Sequence, residues 1–318
     1  MAFSIRTALV AGIAAALVAG GAPGGAQTLQ TVHVAGIPVE LAGSLYYGVD
    51  KGFFKAQGLD VQIVTLSSTA ATTQAVAAGA VDIGTTNLVS IAVAHERNVP
   101  IVVVAPAGAS VTRRSLEGLI VAKDSPIQSA KDLNGKTLIT SVLHNNLVIE
   151  TNAWMEKHGG DYASIKWTEA PNPVTGAMVA TAKVDAATLG EPFLSKAIAT
   201  GDVRLLSYLG SEIAPEIVEG GYISSSDFAA SHGDLLKKFA VGLYEAGKWA
   251  NRHKDEAAGI LQKYSKSTQP PLPGAHHAEF LEHPFHADDI QPIIDAAAKY
   301  GVLKAPFPAA DMVLPDAR

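Results

Sequence analysis

The 318-residue sequence has no cysteine, so disulfide bonds, thiolate metal sites, cysteine nucleophiles and a lipid-modified N-terminal cysteine are all excluded. Charge is sparse at 17% of residues, the formal balance is -6, and no run of lysine or arginine is present to follow a phosphate backbone. A nucleic-acid partner is therefore not expected. No Gly-x-Ser-x-Gly elbow, phosphate-binding loop or dinucleotide glycine fingerprint occurs, which removes the usual signatures of hydrolases and nucleotide-dependent enzymes. A membrane span needs ~20 consecutive apolar residues, and the apolar run from Ala8 to Ala19 stops short of that at Gly20, Gly21, Pro23, Gly24 and Gly25. With Arg6 ahead and small residues behind, the run reads as a cleavable secretory signal over residues 1–26, and the expected product is periplasmic and not membrane-anchored.

What is present is a globular α/β pattern. At 48% hydrophobic the chain has enough apolar surface for two ordinary domains. The pattern centres on Leu45 to Val64: a helix end, a left-handed cap at Gly52, the aromatic pair Phe53-Phe54, a turn at Gly58 and a strand. Around this corner a strand from Thr31 to Gly36 precedes the helix, and a helix capped by Ser67 or Ser68 follows and closes at Gly79. Periodicity lapses between Ala105 and Ser110 and then begins again, which marks a first crossing between domains; a second crossing is expected between Ser207 and Gly221. Helix-Ala78-Gly-Ala-Val-Asp82 and helix-Ala182-Lys-Val-Asp185 echo one another, as two domains of like topology would. The remainder reads as helices over 234–252, 255–264 and 289–300, with a proline-rich loop from Gln269 to Gly274.

The wording Lys51-Gly-Phe-Phe-x-x-x-Gly-Leu-x-Val61 resembles the opening of the periplasmic solute-binding proteins that serve ABC importers of sulfonates, nitrate, taurine and thiamine precursors. Ala77 to Gly84, Ser125 to Lys136, Val184 to Pro192 and Gln291 to Gly301 extend the likeness across most of the chain beyond the signal. The resemblance implies an α/β, two-lobed periplasmic binding protein fold: two doubly wound α/β lobes joined by two hinge strands, closing on a ligand. Lobe one is expected over residues 27–108 plus 215–318 and lobe two over 109–214. It further implies a small-molecule ligand, a permease with its ATPase as partner, a monomer, no cofactor and no catalysis. Two other classes remain open: a ligand-loaded protein that touches a membrane sensor, and an enzyme of thiamine-pyrimidine synthesis, whose cysteine-rich motif this chain lacks.

In a parallel sheet, ligands gather at helix N-termini beyond the strand ends. That places four loops at the expected cleft: Pro38 to Leu41, Ser67 to Thr69, Thr85 to Asn87, and Ser141 to Asn146. The candidate ligand contacts are Glu40, Leu41, Tyr46, Ser67, Ser68, Thr69, Thr86, Asn87, Arg113, Ser141, His144, Asn145, Asn146 and Glu191. Helix capping alone would account for Ser67, Ser68, Thr69, Thr86 and Asn87, while Phe53 and Phe54 read as core with Tyr46 open. Arg113 could grip an anion with a bidentate guanidinium, whereas Glu40 and Glu191 would repel one and accept a ligand N–H instead. The ligand expectation is a small organic anion (a sulfonate, a carboxylate that is aromatic or not, or nitrate), the alternative being a neutral or amine-bearing heterocycle. His276-His277-x-Glu279, His283 and His286 have the composition of a metal tract without a helical ligand spacing, so they read as a surface loop and no metal is expected.

Overall fold

A computed structural model describes residues 28–66, 68–111, 115–210, 212–265, 277–283 and 285–314. In chain order the first elements are β1 (Gln30–Gly36), α1 (Gly43–Asp50), α2 (Phe53–Ala56), β2 (Leu59–Thr65), α3 (Thr69–Ala77), β3 (Ile83–Asn87), α4 (Leu88–Glu96) and β4 (Ile101–Pro106). Then come β5 (Ala109–Val111), β6 (Glu117–Ala122), β7 (Thr137–Thr140), α5 (Asn146–Lys157), β8 (Lys166–Glu169), α6 (Asn172–Ala180), β9 (Ala186–Gly190), α7 (Phe193–Ala199) and β10 (Val203–Tyr208). The chain finishes with β11 (Glu216–Val218), β12 (Gly220–Ser225), α8 (Ser226–Ser231), α9 (Gly233–Arg252), α10 (Lys254–Ser265) and α11 (Gln291–Lys299).

Two five-stranded sheets form, ordered β2-β1-β3-β12-β4 and β8-β7-β9-β6-β10. The orders correspond strand for strand. In each, the first three strands run parallel and the fourth, β12 or β6, is antiparallel to both neighbours. Each antiparallel strand is reached through the crossing segments, where β5 pairs with β11 antiparallel, Ser110 opposite Ile217. The molecule therefore has two lobes of like topology, one around each sheet.

The echoed Val-Asp pairs have a physical role. Asp82 accepts the backbone N–H of His33 at 2.7 Å and returns its own N–H to the His33 carbonyl at 3.0 Å. Asp185 does the same to Thr137, at 2.8 and 3.0 Å. Each aspartate side chain thus occupies the first ladder position of a parallel strand, where a free N–H would otherwise be left. Three residues earlier the chain must leave a helix in a left-handed conformation: Gly79 does so at φ +68°, whereas lobe two uses Ala182 at φ +54°.

The aromatic corner is core, as its composition suggests. Phe54 stacks on Phe239 of α9 with centroids 5.1 Å apart. The approach depends on two glycines, because a Cβ at Gly48 or Gly242 would lie 2.4 or 2.5 Å from the Phe54 ring. The last helix starts at Gln291, later than the sequence suggests, because Pro292 belongs in a first turn and Ala287–Asp289 forms a separate 3-10 turn. The Gln269 to Gly274 loop lies outside the described residues.

Helix α5 belongs to both lobes. Trp154 and Met155 sit in the lobe-two core with Leu119 and Leu138, while Ile149 is buried among lobe-one residues that include Val93 and Phe285. Glu156 near its C-terminus accepts from Lys299 Nζ at 2.5 Å and from the Tyr300 hydroxyl at 2.8 Å, both at the end of α11.

Candidate ligand-binding site

Loops from both lobes meet in a cleft. Lobe one supplies Val39, Glu40 and Leu41 after β1, Thr69 at the start of α3, and Asn87 at the end of β3. Lobe two supplies Ser141, Asn145 and Asn146 after β7, Asn172 at the start of α6, and Gly190, Glu191 and Phe193 after β9. The crossing segments add Leu116, Glu117 and Glu219. Parallel strands deliver helix starts to one edge, and the caps are formed: Asn87 accepts the Ser90 N–H at 2.8 Å and Asn145 the Val148 N–H at 3.1 Å.

Asn146 joins the lobes. Its Nδ2 donates to both the carbonyl and Oε2 of Glu219, each at 2.7 Å, while its Oδ1 accepts the Val89 N–H of α4 at 3.3 Å. Beside it the Ser90 hydroxyl donates to the His144 carbonyl at 2.9 Å.

The electrostatics of the cleft are acidic. Glu40, Glu117, Glu191 and Glu219 all line it, and among the described residues no lysine or arginine does. Glu40 is buried; it accepts the Ala278 N–H at 3.1 Å and faces His277 Nδ1 at 3.2 Å, a bond that raises the His277 pKa above the usual histidine value. Glu191 accepts the Ser195 N–H at 3.2 Å and its hydroxyl at 2.6 Å. Glu117 and Glu219 lie beside Glu150 of α5, one oxygen of each within 4.8 Å of the others. Burial, then mutual repulsion, pushes Glu117 and Glu150 well above the usual carboxylate range. Burial also raises Glu219, against the lowering pull of hydrogen bonds from Asn146 and Ser110. Four oxygens on the cleft wall are shielded from solvent without a donor from outside the acid group among the described residues: Thr69 Oγ1, Asn172 Oδ1, Glu117 Oε2 and Glu219 Oε1.

Of the residues singled out in the sequence, Glu40, Leu41, Thr69, Asn87, Ser141, Asn145, Asn146 and Glu191 come together on this cleft. Ser68, Tyr46, Thr86 and His144 are not among its lining. Ser68 caps α3 by accepting the Ala71 N–H at 3.2 Å. Tyr46 is buried against Tyr264 with ring centroids 5.0 Å apart, and Thr86 is fully buried within β3. His144 is exposed on the outside of its loop. Ser67 and Arg113 lie outside the described residues. His277 departs from the surface-loop reading, since it is held by Glu40, whereas His283 and His286 are exposed. The sequence reading missed Glu117, Glu219 and Asn172, and Glu150 behind them. Their one local signal is a carboxylate between apolar neighbours, as in Leu147-Val-Ile-Glu150 and Ile217-Val-Glu219.

The described residues contain no helix long and apolar enough to cross a membrane. Among curated proteins the chain is similar to the formylaminopyrimidine-binding protein of Halalkalibacterium halodurans, 24% identical over 247 residues that make up 74% of this chain and 71% of that one. Among solved structures it is similar to the ligand-binding component of an ABC-type import system from Staphylococcus aureus, with a TM-score of 0.77 at 12% identity, covering 91% of this chain and 97% of the other. It is also similar to the periplasmic nitrate-binding protein of Synechocystis, with a TM-score of 0.74 at 15% identity, covering 91% and 87%. The family model described as NMT1/THI5 like matches residues 42–257, well over half of the sequence. Two α/β lobes of matching strand order, a cleft at their helix starts and this family match agree: the chain belongs to the NMT1/THI5-like family and has the two-lobed fold of periplasmic substrate-binding proteins.

Proposed function

We propose that this protein is the periplasmic substrate-binding component of an ABC importer, exported by residues 1–26, and that it captures a small heterocycle rich in N–H donors by closing the lobes 27–108 plus 215–318 and 109–214 around it. It acts as a monomer and hands its ligand to a permease driven by an ATPase. The observation that carries the ligand class is the cleft wall itself, where the acceptor oxygens Asn172 Oδ1, Glu117 Oε2 and Glu219 Oε1 lack a donor from outside the acid group and four acidic side chains stand with no lysine or arginine, all among the described residues. Such a wall is satisfied by a ligand that donates hydrogen bonds and is unfavourable for a sulfonate or nitrate, which could only accept them. Arg113, which together with the helix-start loops supported the anion expectation, lies outside the described residues. The formylaminopyrimidine-binding relative supports the same class, since an aminopyrimidine presents N–H groups on a flat ring.

A thermal-shift comparison of formylaminopyrimidine, an alkanesulfonate and nitrate tests this. A ligand at 100 times its Kd adds about 2.7 kcal/mol of stability, which for a chain of this size raises the melting temperature by roughly 5 °C. The expected result is a rise with the pyrimidine alone. A rise with the sulfonate or nitrate and none with the pyrimidine refutes the ligand class while leaving the binding-protein reading in place.

A further inference from the structure

Glu117 opens β6, Glu150 lies in the second turn of α5 and Glu219 stands between β11 and β12, so three carboxyl groups from three elements converge where the crossing segments meet lobe two. Glu150 and Glu219 are 0% and 1% exposed. Both Glu150 oxygens, Glu117 Oε2 and Glu219 Oε1 have no donor from outside the group among the described residues, and Glu150 lies within hydrogen-bonding reach of the other two acids. The donors that do reach the group are Asn146 Nδ2 and the Ser110 hydroxyl, both on Glu219. Elsewhere on the cleft stand Glu40 with His277, and Glu191. Carboxylate oxygens accept and cannot donate, so three of them this close in a buried place are compatible only if protons sit between them. The ligand-free cluster therefore keeps protons to a higher pH than solvated carboxyl groups do.

Two of the three acids also line the cleft, with Glu150 behind them. Independently of the acids, Asn172 Oδ1, an amide oxygen that can only accept, lies on the same wall, shielded from solvent and without a donor among the described residues. A group that completes such a wall brings hydrogens, and one that carries positive charge also substitutes for the protons between the acids. We infer that Glu117, Glu150 and Glu219 form the receptor for a cationic nitrogen group of the ligand, and that a proton passes from the cluster to solvent as that group enters. Glu117 and Glu219 make the contact; Glu150 is a positioning residue that shares their protons. This rests on the donor-rich ligand class proposed above and narrows it to amines, amidines or protonated ring nitrogens.

Calorimetry at pH 7 in phosphate and in Tris, whose ionisation enthalpies differ, counts protons released per ligand bound. The probes are formylaminopyrimidine, the primary amine left on removing its formyl group, and benzylammonium. The amine should bind with release of about one proton, and its affinity should fall by up to tenfold per pH unit as the pH drops. Glu117→Gln should abolish the release and weaken the amine at least tenfold more than it weakens the formyl compound. Binding of the formyl compound without proton-linked binding of the amine overturns the inference and keeps the ligand class. If neither pyrimidine binds but benzylammonium does so with proton release, the cluster's role stands and the pyrimidine reading fails; if no cation binds with release, the cluster's role fails. Folding is checked without ligand. Because these acids titrate above their unfolded value of 4.5, their contribution to stability is present below that pH and is lost as pH rises through the folded values. The wild-type melting temperature should thus fall as pH rises above 4.5, and Glu150→Gln should flatten that fall; an unchanged slope counts against proton sharing.

Discussion

Removing the Asn146 side chain separates the forces that hold the lobes together from those that hold each lobe. The Asn146→Ala variant leaves the Glu219 carbonyl, the Glu219 carboxyl and the Val89 N–H without the bonds they make at 2.7, 2.7 and 3.3 Å. Two of these are ordinary hydrogen bonds worth about 1 kcal/mol each, and the one to a carboxyl group is worth about 1.5–3 kcal/mol, giving a loss of roughly 3–5 kcal/mol. Asn146 lies 2% exposed, so water cannot replace the bonds without the lobes parting. Urea unfolding followed by circular dichroism should give that loss, and small-angle scattering should show a larger radius of gyration for the ligand-free variant. Asn146→Asp keeps the acceptor for Val89 but sets a carboxylate against Glu219, so it should be more destabilising at pH 7 than at pH 5. A loss under about 1 kcal/mol with unchanged scattering would refute the idea that this side chain joins the lobes.

Ala182→Gly should stabilise the protein by about 0.5–1 kcal/mol, since φ +54° strains alanine, while Gly79→Ala at φ +68° should cost about 1 kcal/mol; melting curves of the pair decide, and a stabilising Gly79→Ala would contradict the equivalence. Phe54→Ala should cost about 3–5 kcal/mol in urea unfolding, because the ring fills the space left by Gly48 and Gly242; a loss below 1 kcal/mol would show that the corner is not core. His277 titrates above its ordinary value of 6.5 because Glu40 accepts its hydrogen bond, so the attachment it provides is complete below pH 6.5 and is lost as pH rises through the folded value. Hydrogen exchange at Ala109 and Glu279, which bond to each other's backbone, should accelerate over that window, and equal acceleration in His277→Ala would remove His277 as the cause.

The legible part of this protein is what local chemistry specifies. Glycine punctuation located the strand–helix units, and the Val-Asp echo proved to be an aspartate completing the parallel ladder in each sheet. Since helix starts follow strand ends, all four loops singled out in the sequence contribute to the cleft wall. Which residue of each loop faces the cleft was not legible. A polar residue at such a place can turn inward to cap its helix, as Ser68 does, or lie within the sheet, as Thr86 does. The acid cluster was invisible for a different reason: its members sit on three elements far apart in sequence, each beside apolar neighbours, and only the tertiary fold gives them one another. His277 illustrates the same point, because a composition that suggests a solvated histidine tract says nothing of the single carboxylate that holds it.

The double membership of α5 sets how lobe two can move. A clamshell needs both halves to separate along a shared edge, but Ile149 is anchored in one core and Trp154 and Met155 in the other, so the helix cannot leave either without exposing buried apolar surface. The cheaper displacement is a roll about the helix axis, in which side chains on α5 shift by small amounts and strands at the rim of the second sheet sweep widely. Spectroscopic probes on β8 or β10 against α3 should therefore register ligand capture, whereas a pair spanning Glu156 and Lys299 should hardly change. A permease that senses the rim would read the state of the cleft at a distance from it, with α5 serving as the axle.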